Sequence, residues 1–175
     1  MPGRGLFVGR FQPPHKGHME AIRWIFKNGG IDELIVAIGS AQESHTLRNP
    51  FTAGERMEML RMALAEYNVS LSSVLIVPVP DIAMNFVWVR YLEMLLPRFY
   101  VVFSRNPLVV RLFREYGYKV VSPPSFERER YSATVIRKLM LDGNEAWREL
   151  VPYSVAKYID DIGGLDRIRS IAGRD

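Results

Sequence analysis

Short, mostly unbroken apolar runs alternate along this chain with stretches in which apolar residues recur every three or four positions. The runs fall at residues 6–8, 34–38, 74–77, 100–103 and 118–121. Leu34, Ile35, Val36, Ala37 and Ile38 leave no polar position at all. A strand covered on both faces reads this way, whereas a half-solvated one alternates. Between the runs, the periodic stretches predict helices over residues 15–28, 52–67, 86–96 and about 107–116. The second has the clearest start signal. Thr52 is followed three residues later by Glu55, a capping box, with Met59, Leu60, Ala63 and Leu64 at helical spacing behind it. From Ser132 the pattern is helical to near the end, interrupted at Gly143 and at Gly163-Gly164. This alternation predicts an α/β fold: a doubly wound, five-stranded, mostly parallel sheet with helices on both faces and a helical C-terminal segment. No repeat, low-complexity stretch or linker interrupts the pattern. Residues 1–175 therefore read as one domain, with 1–130 as the α/β part and 131–175 as the helical part.

In such sheets ligands sit beyond the carboxyl ends of the strands, where the strand order reverses. The first predicted strand runs into Gly9-Arg10-Phe11-Gln12-Pro13-Pro14-His15-Lys16-Gly17-His18. Gly9 permits close backbone approach, and the prolines stiffen the turn. His15 and His18 share a face at the start of a helix, whose free N–H groups and dipole favour an anion. The Gly-Lys-Ser/Thr ending of a P-loop is absent, and so is G-x-G-x-x-G. Spacing alone leaves three readings of the histidines: a surface pair beside a turn, a metal site, or a phosphate cradle. The metal reading lacks a neighbouring carboxylate. The phosphate reading uses every part of the turn.

A second anion site is suggested by Ser132-Ala133-Thr134-Val135-Ile136-Arg137. Ser132 as N-cap puts Thr134 in the first turn and Arg137 one turn further on the same face. Hydroxyls, free N–H groups and a guanidinium fork would then converge. Alone, the segment reads more readily as an ordinary cap followed by a solvated arginine.

Composition narrows the partners. The balance of 23 Lys and Arg against 19 Asp and Glu gives a formal charge of +4, which suits anionic small molecules. There is no basic run of the kind that binds nucleic acid, since Arg128-Glu129-Arg130 and Arg137-Lys138 are short or mixed. No apolar run reaches the roughly 20 residues of a membrane span, and the N-terminus lacks the architecture of a signal peptide. A cytoplasmic protein with no membrane partner is expected. The absence of cysteine excludes disulfides and thiolate metal sites.

Gly-Arg-Phe-Gln-Pro-x-His-x-Gly-His, paired with a distant Ser-x-Thr-x-x-Arg, resembles the nucleotidylyltransferases of the H-x-G-H superfamily. Across essentially the whole chain the closer resemblance is to the archaeal-type nicotinamide-nucleotide (NMN) adenylyltransferases, which have a Rossmann-like fold. Gly39-Ser40-Ala41-Gln42, residues 49–56, Asn85 with Trp88, and Ser104-x-Asn106-Pro107 are all similar to that family. The resemblance implies transfer of AMP from ATP to nicotinamide mononucleotide, giving NAD and diphosphate. It implies that His15, His18, Arg10 and Arg137 hold the ATP phosphates, with Gly9, Phe11, Gly17, Ser104, Asn106, Ser132 and Thr134 on the ATP side. Ser40, Arg48, Asp81, Ile82, Asn85, Trp88 and Phe126 would form the mononucleotide side. Magnesium, carried mainly by the ATP phosphates, and a homo-oligomer, with hexamers among archaeal members, are implied in the same way. The chain departs from the wider pattern at Tyr131, where an isoleucine is often found, and at Arg105, where a smaller residue is expected.

The chemistry suits these residue types. A phosphate monoester is largely dianionic at neutral pH, its second pKa being about 6, so the nucleophile needs no general base. The motifs offer cations and N–H groups, which position substrates and stabilise charge. His15 and His18 are accordingly read as charge stabilisers. Trp88 reads either as core or as a stack on the pyridinium. Phe126, in a polar loop, reads as a substrate contact. Asp81 and Asn85 could instead pair as a helix cap. The competing functions are the same transfer to flavin mononucleotide or phosphopantetheine, and a non-catalytic nucleotide sensor.

Overall fold

The computed structural model describes residues 3–173. Its strands are β1 (Arg4–Gly9), β2 (Glu33–Ile38), β3 (Val74–Pro78), β4 (Val101–Phe103) and β5 (Lys119–Val121). They form one parallel sheet in the order β3-β2-β1-β4-β5. The helices are α1 (Lys16–Asn28), α2 (Ala53–Glu66), α3 (Asn85–Leu95), α4 (Pro107–Glu115), α5 (Ala133–Leu141), α6 (Tyr153–Asp161) and α7 (Gly164–Ile171).

The apolar run of β2 splits between two cores. Leu34, Val36 and Ile38 enter one with α1, α2 and α5–α7, and Ile35 and Ala37 enter the other with α3 and α4. All five are fully buried, which is why no polar position interrupts the run. The α2 capping box forms as its spacing predicts: Thr52 Oγ1 accepts the Glu55 N–H, and the Glu55 carboxylate accepts the Thr52 N–H. Arg167 of α7 then grips the same carboxylate with both Nη atoms, at 2.7 and 2.8 Å, and also donates to the Pro50 carbonyl.

The C-terminal region is more broken than its helical periodicity predicts. Besides the interruptions at Gly143 and Gly163, a 3-10 turn occupies Glu145–Leu150 and the chain is extended at Val151 before α6. Pro152 enforces this break, because the residue before a proline is driven out of the helical region.

The chain leaves β1 toward β2 and β3 on one side and returns to β4 and β5 on the other. The reversal opens a crevice between the carboxyl ends of β1 and β4.

Candidate functional site

That crevice is a cleft of about 440 Å³. Its floor is the turn after β1. Phe11 takes a left-handed backbone conformation (φ 52°) and buries its ring 4.7 Å from that of His18. The ring also lies across Gly9, where a Cβ would stand 2.9 Å from it, so the turn closes only around glycine. Gln12 is buried; its side-chain amide exchanges two hydrogen bonds with the backbone of Phe51, at 2.8 and 2.9 Å.

His15 and His18 form a capping box of their own. The His18 N–H donates to His15 Nδ1, and the His15 N–H donates to His18 Nδ1 at 3.1 Å. The rings stack at 3.6 Å. Each ring therefore spends its Nδ1 lone pair on the backbone and carries its proton on Nε2. Burial pushes His15 down to about 3, and burial with the neighbouring His15 pushes His18 well below the ordinary imidazole value. The pair is neutral at pH 7: two N–H donors with no lone pair to spare. Gly17 between them leaves room for Tyr131, since a Cβ there would lie 2.9 Å from the Tyr131 Cβ.

The positive charge comes from arginines. Arg10, Arg105, Arg128 and Arg137 line the cleft, and no carboxylate does. Burial, then Arg10 and Arg48, depress Arg137 to about 10, while burial and Arg48 lower Arg10. Arg10 and Arg137 thus repel one another across the crevice, Arg48 adds to this from outside the lining, Asp81 partly offsets it at Arg10, and an anion would relieve them. Arg137 is aimed by an Nη1 bond of 2.8 Å to the Gln12 carbonyl. On the β4 side, Ser104 Oγ accepts the Asn106 N–H, and Asn106 Oδ1 caps α4. Arg105 donates to the Pro123 carbonyl and ties the 123–132 wall in place. Phe126 and Ser132 stand in that wall. Ser132 is the N-cap of α5, but its hydroxyl makes no cap bond.

The remaining predicted residues lie outside this lining. Thr134 is exposed on α5. Ser40, in a left-handed conformation (φ 49°), follows β2, and its N–H donates to Asp81. Asp81 also receives Gln42 Nε2, while Gln42 Oε1 accepts the Asp81 N–H. Asp81 is therefore committed to the loop after β2 rather than to a helix cap, and α3 begins after Met84 without a side-chain cap. Ile82 is half-buried, and Asn85 and Arg48 are exposed. Trp88 is half-buried, with its ring 5.6 Å edge-on from Phe113.

Two residues that position the site enter the sequence expectations only as letters within quoted motifs, with no role assigned to either. Gln12 sits unremarked within the Pro-rich turn. Arg56 is fully buried. A signal for it existed: it lies three and four residues before Met59 and Leu60, on the apolar stripe of α2, where a charge is out of place.

The chain belongs to the cytidylyltransferase-like family, which residues 6–139 match. Within it, the chain groups with archaeal proteins. It is 54% identical to the nicotinamide-nucleotide adenylyltransferase of Saccharolobus solfataricus, covering 98% of both chains. It is 55% identical to that of Pyrococcus furiosus, over 97% of this chain and 89% of the other. Among solved structures, a bifunctional NMN adenylyltransferase/ADP ribose pyrophosphatase from Francisella tularensis, complexed with AMP and a manganese ion, matches with a TM-score of 0.71 at 22% identity. The match covers 96% of this chain but only 52% of that one, so the chain spans about half its length. The Plasmodium falciparum nicotinic acid mononucleotide adenylyltransferase complexed with APC matches with a TM-score of 0.64 at 12% identity, over 95% of this chain and 98% of that one. These two likenesses establish the Rossmann-like fold. No helix among the described residues is long and apolar enough to cross a membrane.

Proposed function

We propose that the cleft between β1 and β4 is where this chain transfers the adenylyl group of ATP to nicotinamide mononucleotide, giving NAD and diphosphate. The observation that carries the reading is a cleft lined by four arginines and no carboxylate, floored by two Nε2–H donors. Its electrostatics suit a triphosphate.

In the reaction, an oxygen of the mononucleotide 5′-phosphate bonds to the α-phosphorus. The bond from that phosphorus to the β-bridging oxygen breaks, and its electron pair leaves with diphosphate. The attacking phosphate is already deprotonated, so no proton must move. The histidines fit this chemistry, because neither can take a proton while its Nδ1 holds the capping box. Their Nε2–H groups, with Arg10 and Arg137, would meet the charge that gathers on the phosphates without reorganising.

Magnesium fits as a companion of the substrate. No cluster of three or more His, Asp or Glu that could hold a metal ion occurs among the described residues. The ion would arrive on the β- and γ-phosphates of ATP.

Ser104, Asn106 and Ser132 are assigned to the ATP side. The mononucleotide is assigned to Ser40, Arg48, Asp81, Ile82, Asn85, Trp88 and Phe126. A single domain, a cytoplasmic setting and a homo-oligomer, up to a hexamer, complete the reading, and light scattering tests the last.

The decisive assay offers ATP with nicotinamide mononucleotide, flavin mononucleotide or phosphopantetheine and follows diphosphate release. NAD formation with a kcat/KM at least a hundredfold above the other acceptors is expected. Faster release with either alternative would overturn the choice of acceptor.

A further inference from the structure

Arg56 is fully buried on α2, and each of its hydrogen bonds ends on a backbone carbonyl. Nε donates to Thr52 O at 3.2 Å. Nη1 donates to Arg10 O at 2.8 Å and Gly39 O at 2.9 Å. Nη2 donates to Ser40 O at 3.1 Å and Glu43 O at 3.4 Å. A guanidinium has five N–H donors, and all five are used.

The carbonyls it holds are not arbitrary. Arg10 O belongs to the peptide that leads into Phe11, and Gly39 O and Ser40 O belong to the peptides on either side of Ser40. Phe11 and Ser40 both take left-handed backbone conformations. Such conformations in residues with side chains persist only where the surroundings over-determine them. The Ser40 peptide chain is held from both directions, since Asp81 takes its N–H while Arg56 takes its C=O. One side chain thus fixes the strained turn after β1, which bears Arg10, against the strained turn after β2, which bears Ser40.

We propose that Arg56 is a positioning residue for adenylyl transfer, setting the phosphate turn of β1 in register with the β2 turn on the opposite side of the reaction. This rests on the reading of the cleft as the adenylyl-transfer site. A lysine cannot replace it, because one ammonium with three donors cannot reach five carbonyls spread over three segments. The role is exercised through geometry, so the loss falls on kcat more than on KM. A misplacement of about 1 Å by a remote substitution can lower turnover about a hundredfold.

The test compares wild-type protein, Arg56→Lys and Arg56→Ala in steady-state assays, with the folded fraction measured by circular dichroism. Wild-type turnover of ATP and nicotinamide mononucleotide is the control: if it is absent, the reading of the cleft fails, whatever the variants do. Given wild-type turnover, kcat per folded molecule is expected to fall about a hundredfold in both variants, with either KM changed less than about fivefold. Millimolar guanidinium chloride should restore at least tenfold of kcat to Arg56→Ala and nothing to Arg56→Lys. Where Arg56→Ala does not fold, Arg56→Lys decides on the kcat and KM criterion alone. Where neither variant folds, Arg56 is a core residue and the proposal falls. A kcat per folded molecule within threefold of wild type, or guanidinium that raises the melting temperature without raising kcat, also overturns it.

Discussion

The two sides of the proposed reaction are built differently. The proposed ATP side is a walled cleft at the β1/β4 crevice. Its donors are fixed by the backbone: the imidazoles by their capping box, Arg137 by Gln12, and Gln12 by Phe51. Apart from Phe126, which stands in the cleft wall, the proposed mononucleotide side is an exposed rim, where Asp81 and Gln42 satisfy each other and Asn85 faces solvent. The difference suits the chemistry. Charge develops on the phosphates, so donors there must be in place before the transition state forms. The acceptor has only to be held and aimed, which a more open surface can do.

Substitutions can break that contrast. The largest effect is expected from His18→Ala. It removes an Nε2–H donor from the cleft and should slow single-turnover NAD formation about 10²–10³-fold. A rate within threefold of wild type would remove His18 from the mechanism. On the rim the effect should be smaller and specific to one substrate. A cation–π stack contributes about 0.5–2 kcal/mol, so Trp88→Ala should raise the mononucleotide KM about twofold to about thirtyfold and the ATP KM much less. Equal changes, or loss of folding, would assign Trp88 to the core with Phe113.

Arg167 lines neither side, so Arg167→Ala should change the rate less than about threefold and lower stability by about 1 kcal/mol, roughly 2–4 °C in Tm. Calorimetry beside an activity assay separates the two readouts. The smallest effect is an expected null. Between pH 8 and 5 the His15 and His18 imidazole carbons should show no titration by NMR, because both groups lie far below 6.5 in the folded protein. The sign for stability follows. Below pH 6.5 the unfolded chain binds protons that the folded one does not, so stability present above that pH is lost as it falls toward 3. A His18 titration near 6.5 would mean the capping box opens readily.

Much of the fold is written in local patterns. β2 is legible because both its faces are buried, and α2 because Thr52 and Glu55 satisfy each other's N–H groups. The His15–His18 turn was legible as an anion site from residue types and spacing. The charge state of the histidines was not, because it depends on burial and on which nitrogen the backbone claims. The break at Pro152 has a signal in the proline itself, which the helical periodicity on either side masks. Gln12 and Arg56 were hidden for a different reason. Their partners are backbone carbonyls and N–H groups in other segments, and a backbone group has no letter in the sequence. Arg128 belongs to a short mixed-charge run and lines the cleft only because the 123–132 segment forms one of its walls.

The bond from Arg137 to the Gln12 carbonyl joins residues 125 positions apart. On the ribosome, therefore, the first turn of the molecule emerges long before the group that completes it. The nascent chain can wind α1 and pair β1 with β2 early, but the cleft stays half-made until α5 has been synthesised and docked. Until then Arg10 and the imidazole donors stand open to water, and a nucleotide has only one wall to rest against. On the proposed reading of the cleft, nucleotide capture is thus a late event in the birth of each molecule, and ligand binding would report that the far end of the site has closed.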